Sequence, residues 1–131
     1  MQLILLCGSA QSADHGPDVV HKQILMARAS LMKAGWRPRE TVLVNADGER
    51  ENQWGDAGML YRAGVTEVES CSGTGANYCV FNYRKGSACL RLLTQGEFKS
   101  GEYQPHVVKQ TGECPGKEAS ASAVGKPANK Q

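Results

Sequence analysis

Val20, Ile24, Ala27, Leu31 and Ala34 recur at spacings of four and three, so they share one stripe of an amphipathic helix. Pro17 and Asp18 stand where such a helix begins. Proline's missing N–H costs nothing in the first turn, and an acid there meets the positive end of the helix dipole. Gly35 is expected to cap the C-terminus and Pro38 to forbid its continuation. Trp36, just past the cap, is expected to fold back as a core plug because its ring buries so much area; the alternative is an exposed stacking role.

Beyond Pro38 the pattern shortens. Thr41 to Val44 reads as a short strand, and Asn45 to Asp56 (NADGERENQWGD) as a polar, turn-rich loop. Trp54 in that loop either folds onto the core or stands out as a contact residue. Ala57 to Ala63 allows one or two helical turns, which Gly64 breaks. Val65 to Ser70 alternates like a strand and sets Glu67 and Glu69 on one face, expected to be the solvated one. Paired carboxylates there would also suit acid–base chemistry.

The clearest signal is a β-hairpin. Tyr78 to Arg84 and Ser87 to Thr94 flank Lys85-Gly86. A two-residue loop at that point pairs Tyr83 with Ala88 and Phe81 with Leu90. Cys79, Phe81, Tyr83, Ala88, Leu90 and Leu92 then form the apolar face that meets the helix. Val80, Asn82, Cys89 and Arg91 form the other face. Tyr103 to Gln110 adds a last strand, with Pro105 placing it near an edge. The expected fold is α+β: one main amphipathic helix on a three- to four-stranded antiparallel sheet, in a single domain over residues 14–115.

The ends differ from this domain. Residues 116–131 are rich in Ala, Ser, Gly, Pro and Lys, a composition that cannot offset its ordering entropy, and read as a disordered tail. MQLILLCGSAQSA opens with an apolar run from Leu3 to Cys7 followed by small residues, so residues 1–13 read as a signal-peptide remnant cut after Ala10 or Ala13. A first β-strand over Gln2 to Cys7 is the alternative. No run approaches the ~20 apolar residues of a membrane span.

Without the leader, four of the five cysteines remain: Cys71, Cys79, Cys89 and Cys114. An even number in an exported chain suggests two disulfides. The hairpin sets Cys79 and Cys89 on opposite faces, which disfavours their direct bond. Cys71–Cys79 with Cys89–Cys114 is the expected pairing, and Cys71–Cys89 with Cys79–Cys114 stays open. Loops of about 9 and 26 residues correspond to roughly 2.6 and 3.5 kcal/mol in the chain-entropy account. That is a large share of the stability of a domain this small, in a chain of which only 6% of residues are aromatic.

Spacings of seven, nine and 24 intervening residues do not match zinc or C-x-x-C redox sites. CSGTGANYC lacks the lysine of a phosphate loop and the third glycine of a dinucleotide fingerprint, so no metal and no cofactor is expected. Ser72, Gly73, Thr74 and Gly75 read as a tight disulfide loop, with an anion nest as the sharper alternative. His106 is the one histidine placed to serve a cysteine nucleophile or an acid–base site. A net charge of +2 with no aromatic-laced basic stripe argues against nucleic acid. Arg28, Lys33, Arg37 and Arg39 read as a solvated helix end, or alternatively as a polyanion patch.

ARASLMKAGWRP, EVESCSGTGANYCVFNYRKG, LRLLTQGE and the later ECP together resemble small uncharacterised exported proteins of Gram-negative bacteria. Those share a Gly-Trp-x-Pro turn after a helix and a C-[SA]-G-T-G loop. The resemblance spans most of residues 23–115. It implies a periplasmic or secreted location and no particular activity. The expectation is a cell-envelope binding or inhibitor-type module that recognises an envelope protein through Trp54, the Ser72–Gly75 loop, Arg37 and Arg39. The alternatives are a small enzyme using Glu67/Glu69 or His106, and a structural envelope protein. No sequence feature sets an oligomeric state.

Overall fold

A computed structural model describes residues 15–41, 43–73 and 75–116. The expected leader (1–13), Thr74 and, beyond Gly116, the expected tail lie outside the described residues. Among those described are two α-helices, α1 (Ile24–Lys33) and α2 (Gly55–Arg62), and a five-stranded sheet. The strands are β1 (Arg37–Pro38), β2 (Val68–Cys71), β3 (Tyr78–Lys85), β4 (Ala88–Gln95) and β5 (His106–Thr111), and every pairing is antiparallel. The fold is α+β and carries two disulfides. α2 forms where helical turns were expected at Ala57 to Ala63, so a second helix joins the one main helix, and the sheet has one more strand than expected.

α1 starts later than Pro17 and Asp18 suggest. The preceding residues are spent on β5 instead. His21 N–H donates to Val107 O at 2.8 Å, and Val107 N–H donates to Lys22 O at 2.8 Å. His21 takes a positive φ of 79° to make this turn. The first helical N–H groups then find partners in the approach to β5: Ile24 N–H reaches Pro105 O at 2.9 Å and Leu25 N–H reaches Gln104 Oε1 at 2.7 Å. These contacts satisfy donors that an N-terminal cap would otherwise serve.

The C-terminus follows expectation. Gly35 has φ 95°, its N–H donates to Met32 O at 3.0 Å, and Trp36 N–H donates to Leu31 O at 3.0 Å, which is a Schellman motif. Trp36 is fully buried as the expected plug. Its ring lies so close to Gly16 (φ 72°) that a Cβ there would stand 3.1 Å from Trp36 Nε1 and 2.8 Å from Leu90. α2 ends the same way: Gly64 has φ 99° and Val65 N–H donates to Leu60 O at 3.0 Å. LMKAGW and LYRAGV are two copies of one stop signal, each with a basic residue in the last turn.

β3 is the spine of the sheet. β4 and then β5 lie on one side of it, while β1 and β2 share the other, β1 opposite Tyr83 and Arg84 and β2 opposite Cys79 to Phe81. The hairpin closes one residue later than expected. Lys85 pairs with Ala88, Tyr83 with Leu90 and Phe81 with Leu92. Gly86 carries the positive φ (60°) that the first loop position of a II′ turn needs, a conformation a lysine would resist. Moving the loop by one residue shifts each partner by two, so both faces keep their expected members. Thr41, Leu43 and Val44 join no strand of the sheet; Val44 only bridges Arg50, around an Asn45 side chain that accepts from Asp47 N–H and Glu49 N–H.

One apolar core lies between the helices and the sheet. Ile24, Ala27 and Leu31 of α1, Ala57 and Leu60 of α2, Val68, and Phe81, Tyr83, Leu90, Leu92 and Val107 of the sheet are all buried there. Each large aliphatic side chain so buried contributes roughly 1.5–3 kcal/mol.

Candidate functional site

The stapled loop and the start of α2 form one braced unit at the β2–β3 end of the sheet. Cys71 and Cys79 are direct cross-strand partners joined by a disulfide. Gly73 and Gly75 have φ values of 76° and 58°, the sharp return expected of them. Ser72 N–H donates to Tyr78 O at 2.7 Å, and Tyr78 N–H donates back to Ser72 Oγ at 3.0 Å. Gly73 N–H donates to Asn77 Oδ1 at 3.1 Å, so a donor that an anion nest would present is already used. Asn77 Nδ2 in turn donates to Asp56 Oδ2, which also accepts from Phe98 N–H at 3.1 Å. Asp56 sits two residues after Trp54, the N-cap position of α2. Trp54 is 65% exposed and Tyr78 44% exposed, so two aromatic rings project from segments that the Asp56–Asn77 bond holds together.

The two glutamates are not where alternation placed them. Glu67 and Glu69 are both buried. Glu67 Oε2 accepts from Arg28 Nε at 2.6 Å and from Tyr83 Oη at 2.6 Å, on the core face. Arg28 Nη2 also donates to Gly64 O at 3.0 Å, tying α1 to the end of α2. Glu67 Oε1 has no hydrogen-bond partner among the described residues. Glu69 turns to the other face, where Asn82 Nδ2 donates to its Oε1 at 2.8 Å and Arg91 approaches both oxygens at 3.4 Å. Asn82 and Tyr83 are neighbours on β3 and point to opposite faces, so the glutamates they hold lie on opposite faces too. Glu67 precedes β2, and a bulge between Val68 and Ser70 breaks the period at Glu69. Burial first, then the charge and hydrogen bond of Glu67, push the Tyr83 phenol well above its ordinary value, and Arg28 draws it partly back.

The basic cluster also comes apart. Arg28 is committed to Glu67. Arg37 is exposed on β1, and Arg39 points its Nη1 at Cys89 Sγ, 3.7 Å away. Arg37 pairs with Arg84 and Cys71 with Cys79, so β1 and the stapled loop stand at opposite ends of β3. Five residues of strand separate them, about 17 Å. The arginines and the loop are therefore two surfaces. His106 opens β5 opposite Gln95 and bridges Gln23. The outer side of β5 is occupied by residues 19–23, and Gln110 Oε1 accepts from Val19 N–H at 3.0 Å, so this edge is closed to strand addition.

The pairing Cys71–Cys79 with Cys89–Cys114 is the one formed, with Cα–Cα distances of 4.0 and 5.0 Å. No helix among the described residues is long and apolar enough to cross a membrane, and no group of three or more metal-ligating side chains occurs among them. Sequence reasoning missed Asp56, Asn77 and Tyr78. The one local signal for them is Asn77, a residue type that tolerates positive φ, here 53°, at the foot of a strand. Comparison with family models, with curated proteins and with solved structures finds no match to this chain.

Proposed function

We propose that this chain is an exported module of the cell envelope, periplasmic or secreted, that acts by binding a protein, in the manner of an inhibitor, without catalysis. The observation that carries this reading is Trp54, held 65% exposed beside a loop stapled by Cys71–Cys79. An exposed tryptophan on a braced support offers large contact area at low ordering cost, which is what interface hot spots use. Two disulfides suit an oxidising compartment. The resemblance to exported Gram-negative proteins points the same way. The contact surface in this reading is Trp54, Tyr78 and the Ser72–Gly75 loop, while Arg37 and Arg39 at the far end of β3 stand apart from it.

The test is affinity capture from envelope extract with wild-type chain and Trp54→Ala side by side. One envelope protein retained by the wild type and lost by at least ten-fold with the variant, at unchanged circular dichroism, is the expected result. Retention that ignores Trp54 overturns the assignment of this surface. Turnover of a small substrate by the purified chain overturns the non-catalytic reading.

A further inference from the structure

The two disulfides differ in what surrounds each sulfur. Cys79 is wholly buried within the apolar core cluster, and Cys71 is half-buried against it. A thiolate left at Cys79 would sit in apolar surroundings, which disfavour it. Cys114 lies exposed in the segment after β5, whereas Cys89 is buried at 7% exposure on the outer face of β4. The Arg39 guanidinium stands 3.7 Å from Cys89 Sγ. A fixed positive charge at that distance favours sulfur as thiolate, and a more stable thiolate leaves faster. A cleft of about 340 Å³, lined by Gly16, Asp18, Val20, Cys89, Gln110 and Gly112 among others, opens beside Cys89.

We propose that Cys89–Cys114 is a thiol–disulfide exchange site for an external dithiol, with Cys114 the sulfur attacked and Cys89 the leaving group that Arg39 stabilises. The incoming thiolate forms a bond to Cys114 Sγ as the Cys114–Cys89 bond breaks, and its electron pair stays on Cys89 Sγ. The second thiol of the reagent then attacks its own mixed sulfur and releases Cys114. The dithiol ends as a disulfide, and its two protons end on the two cysteines. Opening frees the segment after β5 from β4, while Cys71–Cys79 still holds β2 on β3. Arg39 acts through the leaving sulfur and is a positioning residue, distinct from the Trp54 surface.

The experiment exposes the oxidised full chain to reduced glutathione or to dithiothreitol, quenches with acid, alkylates and maps the labelled peptides by mass. The expected result is a glutathione adduct on Cys114 and opening of Cys89–Cys114 ahead of Cys71–Cys79. Arg39→Gln is expected to slow that opening by about three-fold, and Arg39→Lys by less, because a less stabilised thiolate leaves more slowly. An adduct on Cys89, both pairs opening together, or an Arg39→Gln rate equal to wild type each overturns the proposal. The Cys71–Cys79 rate in the same sample reports whether the variant keeps its fold. If it does not, the site of the adduct on the wild-type chain decides alone.

Discussion

Glu67 and Glu69 stand two residues apart and end on opposite faces of one sheet, where their charges are met in different ways. On the core face Glu67 is 0% exposed, and its two partners, Arg28 and Tyr83, both use Oε2. On the outer face Glu69 shares a wider set: Asn82 Nδ2, Arg91 at both oxygens, and through Asn82 the hydroxyl of Thr41. Arg91 also donates to Asn82 Oδ1 at 3.2 Å, so removal of one member leaves the others paired. The difference teaches where this fold is brittle. A fully buried carboxylate with a counter-charge and one hydroxyl leans heavily on that charge, whereas Glu69, also buried, sits in a network that spreads the load over several partners.

The sharpest way to break this contrast is Arg28→Met. The substitution keeps much of the side-chain volume and strands Glu67 in the core with only the Tyr83 hydroxyl. Removing one partner of a buried pair costs about 3–5 kcal/mol because the other charge is left uncompensated. The loss of the bond to Gly64 O also loosens α1 from the end of α2. Urea unfolding at neutral pH is expected to show the midpoint fall accordingly. A cost under about 1 kcal/mol would mean that Glu67 draws its stabilisation from elsewhere.

Tyr83→Phe removes the other partner and probes the same face by pH. Loss of a hydrogen bond to a charged group costs about 2 kcal/mol at pH 7. The Tyr83 phenol is raised above its unfolded value of 10.0, so the fold favours the neutral form. Stability from that preference is fully present below pH 10 and is lost as pH rises through the folded value. The wild type is therefore expected to weaken on the alkaline side of pH 10 more steeply than Tyr83→Phe, and the two unfolding curves to converge. Parallel curves would remove Tyr83 from the alkaline limb.

Much of the fold was legible because its signals are local or periodic. Gly35 and Trp36 mark a helix stop within a few residues, and alternation along β3 and β4 survives a two-residue change of partner. Alternation disfavoured a direct Cys79–Cys89 bond and the loop glycines favoured Cys71–Cys79, but the crossed pairing stayed open until the structure showed which one forms. The glutamates were not legible, since Arg28 and Arg91 arrive from 39 and 22 residues away and a bulge interrupts the period at Glu69. The start of α1 was hidden for the same kind of reason: its N–H partners are Gln104 and Pro105, about 80 residues on. Of the candidate surface, the tight Cys71–Cys79 loop could be read from its glycines. The exposure of Trp54 could not, because nothing local decides whether a loop tryptophan turns in or out. The Asp56–Asn77 bond that braces it joins residues 21 apart.

Arg91→Met supplies the matching change on the outer face and is expected to have the smallest effect of the three. The Arg91 side chain is 25% exposed and its contacts with Glu69 are long, at 3.4 Å. Glu69 keeps the 2.8 Å bond from Asn82, so the carboxylate that Arg91 leaves behind still has a partner. Loss of these long contacts, with the Asn82 bond retained, is expected to cost about 1 kcal/mol. Added salt should narrow the gap between wild type and Arg91→Met more than it narrows the gap for Arg28→Met, because charges near solvent are screened and buried ones much less. Equal costs for the two arginines, with equal salt dependence, would show that both faces hold their carboxylates in the same way and would end the distinction between them.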